Sequence, residues 1–139
     1  MDPLEILNKL GSQEPYRRFL GLKVLKIGVG YALVEREITE ECLNIHGTTH
    51  GGLLFSVVDE AFELASNSHG TVAVALSMTV TFFRATGKGN VIRAEATEIN
   101  RTKRTATYQI QVTDENQNLV AICQALVYRK EEPLPEIGP

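Results

Sequence analysis

Hydrophobic and polar positions alternate along the chain with two different periods. Between residues 51 and 68, Leu54, Val57, Val58, Ala61, Leu64 and Ala65 recur at helical spacing, which predicts one amphipathic helix stopped by Gly70. Ser56, Glu60, Glu63 and Asn67 fall opposite that stripe, and Glu60 and Glu63 read as solvated helix carboxylates. After Gly70 the period becomes two. Val72, Val74, Leu76, Met78, Val80 and Phe82 alternate with small or hydroxylic residues, which predicts a strand over 71–83 with one apolar face and one semi-polar face. Further strand patterns occupy about 91–99, 104–113 and 119–129, separated by the turn sequences GKGN (87–90) and DENQN (114–118).

Upstream, Asp2 and Pro3 open a short helix that Gly11 stops, and a second helical piece lies between Ser12 and Gly21. Strands are expected at 22–29 and 31–38 around the GVG turn at 28–30. The tail KEEPLPEIGP, rich in charge and proline, reads as disordered. Consecutive strands joined by short turns imply an antiparallel sheet, and one long apolar helix needs that sheet as its partner. The expected class is α+β, a sheet wrapped around a central helix, in one domain spanning 1–139 with its core over about 20–129.

At 139 residues, with 43% hydrophobic and 22% charged residues, the composition is that of an ordinary globular protein. A net charge of −3 argues against nucleic acid as a general partner. No apolar run reaches the roughly 18–20 residues of a membrane helix, and the N-terminus lacks a signal-peptide pattern, so a cytoplasmic protein without membrane contact is expected. Cys42 and Cys123 read as reduced thiols.

The segment preceding and opening the long helix carries the chemistry. Asn44, Gly47, Thr48, His50, Gly51, Gly52, Leu53 and Asp59, in the pattern N-x-x-G-T-x-H-G-G-L-x-x-x-x-x-D, resemble the hotdog-fold thioesterases, and within them the PaaI-like (phenylacetate-degradation) acyl-CoA thioesterases. FELASNSHG after the aspartate and VTFFRAT in the next strand extend the likeness over about residues 20–129. The resemblance implies a hotdog fold, metal-free and cofactor-free hydrolysis of an acyl-CoA thioester, and assembly as a homodimer or a dimer of dimers. It implies Asp59 as the catalytic carboxylate, with Asn44 and the Gly51 N–H polarising the thioester carbonyl. Some relatives carry a water-orienting serine where this chain has Ala75; Ser77, expected on the same face, is the candidate substitute.

The same residues make physical sense. Thioester hydrolysis needs a donor for a developing oxyanion and a carboxylate that attacks or activates water. A helix N-terminus offers unpaired N–H groups, and Gly51 and Gly52 let a carbonyl approach them. Asp59 has Phe55, Val58 and Phe62 as helical neighbours, and desolvation there would raise its basicity. Gly51 and Asp59, eight residues apart, are separated by roughly 12 Å along a helix axis. One helix cannot bring both to one carbonyl, but two antiparallel copies related by a twofold axis can.

His46 and His50 are four apart, yet Gly47 lies between them and they precede the helix, so no metal site is expected, and His50 reads as a loop anchor beside the carbonyl. Arg101, Lys103 and Arg104 in NRTKRT are candidates for the CoA phosphates, with Arg84 and Lys88 behind them. Gly52, Phe55 and Ser77 complete the expected substrate contacts. Two rival classes are a hotdog hydratase or dehydratase, whose Asp-x4-His pair would end at Leu64, and a non-enzymatic acyl-CoA-binding protein.

Overall fold

The computed structural model describes residues 1–136. Two short helices, α1 (Pro3–Ser12) and α2 (Pro15–Leu20), precede β1 (Lys23–Gly28) and β2 (Tyr31–Glu37). A single 3-10 turn over Glu40–Cys42 leads to α3 (Gly51–Ser66), followed by β3 (Thr71–Phe82), β4 (Val91–Arg101), β5 (Thr105–Thr113) and β6 (Leu119–Pro133). Every strand pairing is antiparallel, in the order β1-β2-β4-β5-β6-β3. This is the α+β hotdog architecture expected from the sequence. Among the described residues no helix is long and apolar enough to cross a membrane.

The sheet wraps α3 because its inward residues are small where the helix lies closest. Ala32 and Val34 of β2 stand directly opposite Ala96 and Ala94 of β4, and all are fully buried. Larger residues fill the flanks: Ile110 and Val112 from β5, Val127 from β6, and Tyr108, whose ring meets Phe62 edge-on at 5.7 Å. From the helix come Val57, Val58, Ala61, Phe62, Leu64 and Ala65, each at most 1% exposed. Burying side chains of this size contributes about 1.5–3 kcal/mol each. The small-residue surface beneath the helix thus belongs to β2 and β4, not to β3.

Strand β3 departs from strict alternation. Ala73 and Ala75 stand on the helix side opposite Arg129 and Val127, but a register shift between Ala75 and Ser77 inserts one residue, after which Met78 and Val80 pack against the core. A bulge of this kind exchanges the two faces of a strand. Val74 and Leu76 are therefore exposed rather than continuing the apolar face. The C-terminal segment also differs from expectation: β6 continues to Pro133, which pairs with Thr71, and Leu134 donates its N–H to the Gly70 carbonyl at 3.3 Å. Residues 130–133 are thus ordered by pairing with the start of the neighbouring strand β3; the last part of the tail, 137–139, lies outside the described residues.

Gly70 makes the turn from α3 into β3 with φ at +90°, and a Cβ there would meet Pro3 Cβ at 3.1 Å. Gly70→Ala should cost about 1–3 kcal/mol, the range for a side chain forced into left-handed backbone. Gly87→Ala, where nothing lies within 4 Å of an added Cβ, should be close to neutral. Urea midpoints of the two variants check the contrast.

Candidate active site

The loop before α3 is built around Asn44. Its Oδ1 accepts from His46 N at 2.9 Å and Thr48 N at 3.1 Å, and its Nδ2 donates to Thr48 Oγ1 at 2.9 Å. Gly47, at φ +79°, lets the loop turn back so that Asn44 N reaches the Thr48 carbonyl. Thr49 Oγ1 then ties to Thr86 Oγ1 at 2.7 Å, and His50 N donates to the Cys42 carbonyl. His50 is the N-cap of α3: its Nδ1 accepts from Gly52 N at 2.8 Å, so its neutral ring carries the proton on Nε2. The expected anchoring role is thus a cap. It also consumes the Gly52 N–H. Among the described residues the Gly51 N–H meets no acceptor, leaving it available at the positive end of the helix.

Gly51 opens a cleft of about 380 Å³ together with Leu54, Phe82, Phe83 and Arg84. Asp59 lines another, of about 240 Å³, with Phe62, Glu63, Ser66, Ala73, Ala75 and Val127. One chain therefore presents the helix N-terminus and the carboxylate in two separate hollows. A larger hollow of about 750 Å³ lies over β2, β4 and β5, lined by the Arg93–Glu35 ion pair and remote from the face that bears α3.

Both clefts open along one stripe of α3. Gly51, Phe55, Asp59 and Glu63 follow one another at intervals of four and all are exposed, Phe55 at 40%. Ser56, Glu60 and Asn67, assigned by the sequence pattern to a solvated face, are instead buried. Ser56 and Glu60 are covered by the N-terminal helices, where Tyr16 Oη meets Ser56 Oγ at 3.0 Å and Glu14 reaches the carboxyls of Glu60 and Glu63, while Asn67 is tied to Ala73 of β3, whose N–H it accepts at 2.9 Å. The period-four stripe was the available signal for Glu63, whereas nothing local marks Glu14.

These carboxyls set the electrostatics. Burial, reinforced by the charge of Glu14, holds the Asp59 carboxyl above its ordinary value. Burial and hydrogen bonding to Glu14 push Glu60 up to about 10 and Glu63 up to about 8. Burial acts in the same direction on Glu14, but hydrogen bonds with Glu63 and Glu60 and the charge of Arg17 outweigh it and bring Glu14 below its ordinary value. The oxygens of Glu14, Glu60 and Glu63 lie within 4.8 Å of one another, the one set of potential metal-ligating carboxyls, thiols or imidazoles grouped in threes among the described residues. His46, His50 and His69 are not brought together. Cys42 and Cys123 are free and buried, and burial raises the Cys123 thiol to about 11.

Ser77 stands opposite Leu126 and shares the outer sheet face with Thr79, Thr81 and Gln124, because the bulge at 75–77 turns it away from Ala75. It cannot stand in for a serine at position 75. In the basic turn, Arg101 contacts His69, which bonds Glu98 at 2.7 Å, while Lys103 pairs with Glu131 at 3.3 Å. None of Arg101, Lys103 and Arg104 lines the cleft of Gly51 or of Asp59; Arg84 lines the former.

The thioesterase superfamily model matches residues 46–121, which contain the loop, α3 and most of the sheet. The acyl-coenzyme A thioesterase PaaI of Escherichia coli K12 is 36% identical over 110 residues, covering 79% of each chain. The structure of the E. coli PaaI protein aligns with a TM-score of 0.91 at 30% identity, over 94% of this chain and 95% of that one. A mutant of the phenylacetic acid degradation protein PaaI of Thermus thermophilus aligns with a TM-score of 0.81 at 44% identity, over 84% and 100%. The chain belongs to the thioesterase superfamily, among its PaaI-like hotdog-fold members. It is a thioester hydrolase.

The raised carboxyls make stability depend on pH. A carboxyl whose folded pKa exceeds its unfolded one stabilises fully below the unfolded value and loses that contribution as pH rises through the folded value. For Glu63 and Glu60 the window runs from 4.5 towards about 8 and about 10. Glu14 shifts the other way, so its effect falls below its ordinary value of 4.5. The melting temperature should decline from about pH 5 to about pH 9, and Glu60→Gln should flatten that decline. Thermal melts of both proteins across the range check this.

Proposed function

We propose that this enzyme hydrolyses an aryl- or medium-chain acyl-CoA, with phenylacetyl-type acyl groups favoured, at a site shared by two subunits. Asp59 of one subunit acts as general base or nucleophile. The Gly51 N–H and Asn44 of the other bind the carbonyl oxygen as negative charge develops on it. The observation that carries this reading is the placement of Gly51 and Asp59 in separate clefts on one continuous helix, which a second antiparallel copy of that helix would bring together. The PaaI names of the relatives support the acyl class. The reading needs no metal or cofactor.

Two further features favour a homodimer built along α3 and β3. Strand β3 ends the sheet order, so its outer backbone edge is unpaired among the described residues, and Val74 and Leu76 beside it are 41% and 56% exposed. Such an edge invites another strand. The Phe55–Asp59–Glu63 stripe is the other open surface, and twofold pairing would make two equivalent sites. Pairing of such dimers into a tetramer is compatible with the remaining exposed apolar residues, among them Phe19 and Tyr128. The phosphates at the nucleotide end of CoA lie a pantetheine arm away from the thioester, and Arg101, Lys103 and Arg104 are the candidates to meet them, with Arg84 and Lys88 behind them.

Asp59→Asn keeps the shape but removes the basicity, so kcat should fall by about 10² or more while KM changes little. Release of free thiol from phenylacetyl-CoA and a panel of fatty acyl-CoAs measures this; near-native turnover would remove Asp59 from the mechanism. A mixing experiment tests the shared site. Asp59→Asn and Asn44→Ala, refolded together in equal amounts, should regain about a quarter of wild-type activity. Half the dimers are then mixed, and each mixed dimer has one undamaged site of two. Activity that stays at the level of the separate variants, despite proven subunit exchange, would place both residues in one chain's site.

A further inference from the structure

Glu14 occupies the N-cap position of α2 but makes no capping bond with its side chain. A side-chain cap stabilises a helix start, so a carboxylate that forgoes it must be held elsewhere. It is held against α3, where its oxygens and those of Glu60 and Glu63 gather within 4.8 Å. Glu60 is only 5% exposed, and its Oε2, like Glu14 Oε1, is buried without a hydrogen-bond partner. Three ionised carboxylates would present only acceptors to one another. Protons shared within the group supply the missing donors and remove the like-charge repulsion. The third member, Glu63, is also part of the Asp59 cleft, one helical turn beyond Asp59.

We propose that Glu14 is a positioning residue for the hydrolysis: it holds the Glu63 carboxyl as a neutral hydrogen-bonding group on the wall of the Asp59 cleft, so that Asp59 is the one anion facing the acyl group. This rests on the assignment of Asp59 to the reaction. The groups facing the cluster are few. Glu14 and Arg17 come from the α1–α2 side and Asp59 and Glu60 from α3 itself. The β3 and β6 residues that complete the cleft, Ala73, Val74, Ala75 and Val127, carry no charge. Cys123 of β6, which feels the charge of Asp59, keeps its thiol protonated up to about 11.

The arrangement has a chemical consequence. Addition to a thioester carbonyl builds negative charge on its oxygen, and a second anion one turn from Asp59 would oppose it. Glu14 keeps the proton on Glu63 by standing as the ionised partner. Activity should therefore decline as Glu63 ionises near pH 8, the value to which burial and Glu14 raise it.

The test uses the full chain with glutamate labelled at its side-chain carboxyl carbon, titrated by NMR, beside the pH dependence of kcat/KM for phenylacetyl-CoA. In the wild type the Glu63 resonance should titrate near pH 8, with kcat/KM falling over the same range. Glu63→Gln should abolish that fall. Glu14→Gln and, independently, Glu14→Ala should move both the resonance and the fall to lower pH by about one unit or more, the scale of a lost hydrogen-bonded neighbour. Melting curves identify any variant that does not fold, and the two substitutions need not both survive for the result to stand. A Glu63 that titrates with ordinary glutamates in the wild type overturns the proposal. So does a fall in kcat/KM that stays at the wild-type pH in folded Glu14→Gln or Glu14→Ala, or a Glu63 midpoint displaced by millimolar Mg²⁺ or Ca²⁺, which would make the trio a cation site. Should phenylacetyl-CoA and the acyl-CoA panel all fail as substrates, the failure lies with the proposed acyl class, and the NMR titration still decides the state of the cluster.

Discussion

An α-helix of sixteen residues fixes the distance between its first N–H and its ninth residue, and no side-chain rotation closes a gap of about 12 Å to hydrogen-bond length. The rest of the site follows from that constraint. His50 caps the helix through Gly52 and leaves Gly51 open, while Asp59 faces a different hollow. The helix also cannot be wrapped completely, because a stripe containing both groups has to stay uncovered. The sheet accommodates this by covering α3 from the β2, β4 and β5 side with alanine-rich strands and ending in an unpaired β3 beside the open stripe. An exposed phenylalanine next to a half-desolvated aspartate is poor design for an isolated chain and good design for a surface that a substrate or a second subunit completes.

Stability and function compete on the same helix. Glu60 is buried on the polar side of the helix and Glu63 lies on its open stripe, and burial together with hydrogen bonding to Glu14 raises both carboxyls above their ordinary value. That contact ties the N-terminal helices to the site, although they lie outside the motif that identifies the family. Tyr16 on Ser56, Glu14 on Glu60 and Pro3 against the Gly70 turn hold the segment at both ends of α3. Removing it would expose a polar helix face that the sheet has no residues to cover.

The sequence pattern revealed the elements that depend on local spacing and missed those that depend on distant partners. The period of α3, the cap at Asp2, the anchoring role of His50, and the turns at 87–90 and 114–118 are written in neighbouring residues, and the structure matches them closely. So is the Asn-HGG-Asp pattern that identified the family. The bulge between Ala75 and Ser77 carries neither glycine nor proline, so an uninterrupted alternation hid it and placed Ser77 on the wrong face. The strand over 130–133 reads as a charged tail because its order comes from Thr71, far upstream in the chain. Glu60 looked solvated because helical periodicity separates polar from apolar positions but says nothing of what packs on the polar side.

The basic residues show how sequence clustering and spatial placement separate. Arg101, Lys103 and Arg104 cluster in sequence, yet a β-turn points successive residues apart, and each finds its own neighbour: Arg101 joins His69 and Glu98, Lys103 joins Glu131, and the Arg104 carbonyl accepts from Arg129 N. Arg84 stands alone in sequence but follows Phe82 and Phe83 at the end of β3, where the strand passes the first turn of α3. Its pairing with Asp114 is long, at 3.9 Å, and its side chain is 56% exposed, so the guanidinium is only loosely committed to that partner. A cation beside a helix N-terminus and an open N–H adds a second favourable field for any negative charge that develops on a carbonyl oxygen there. Proximity to that terminus, rather than density of charge along the chain, is what makes a basic residue useful to this site.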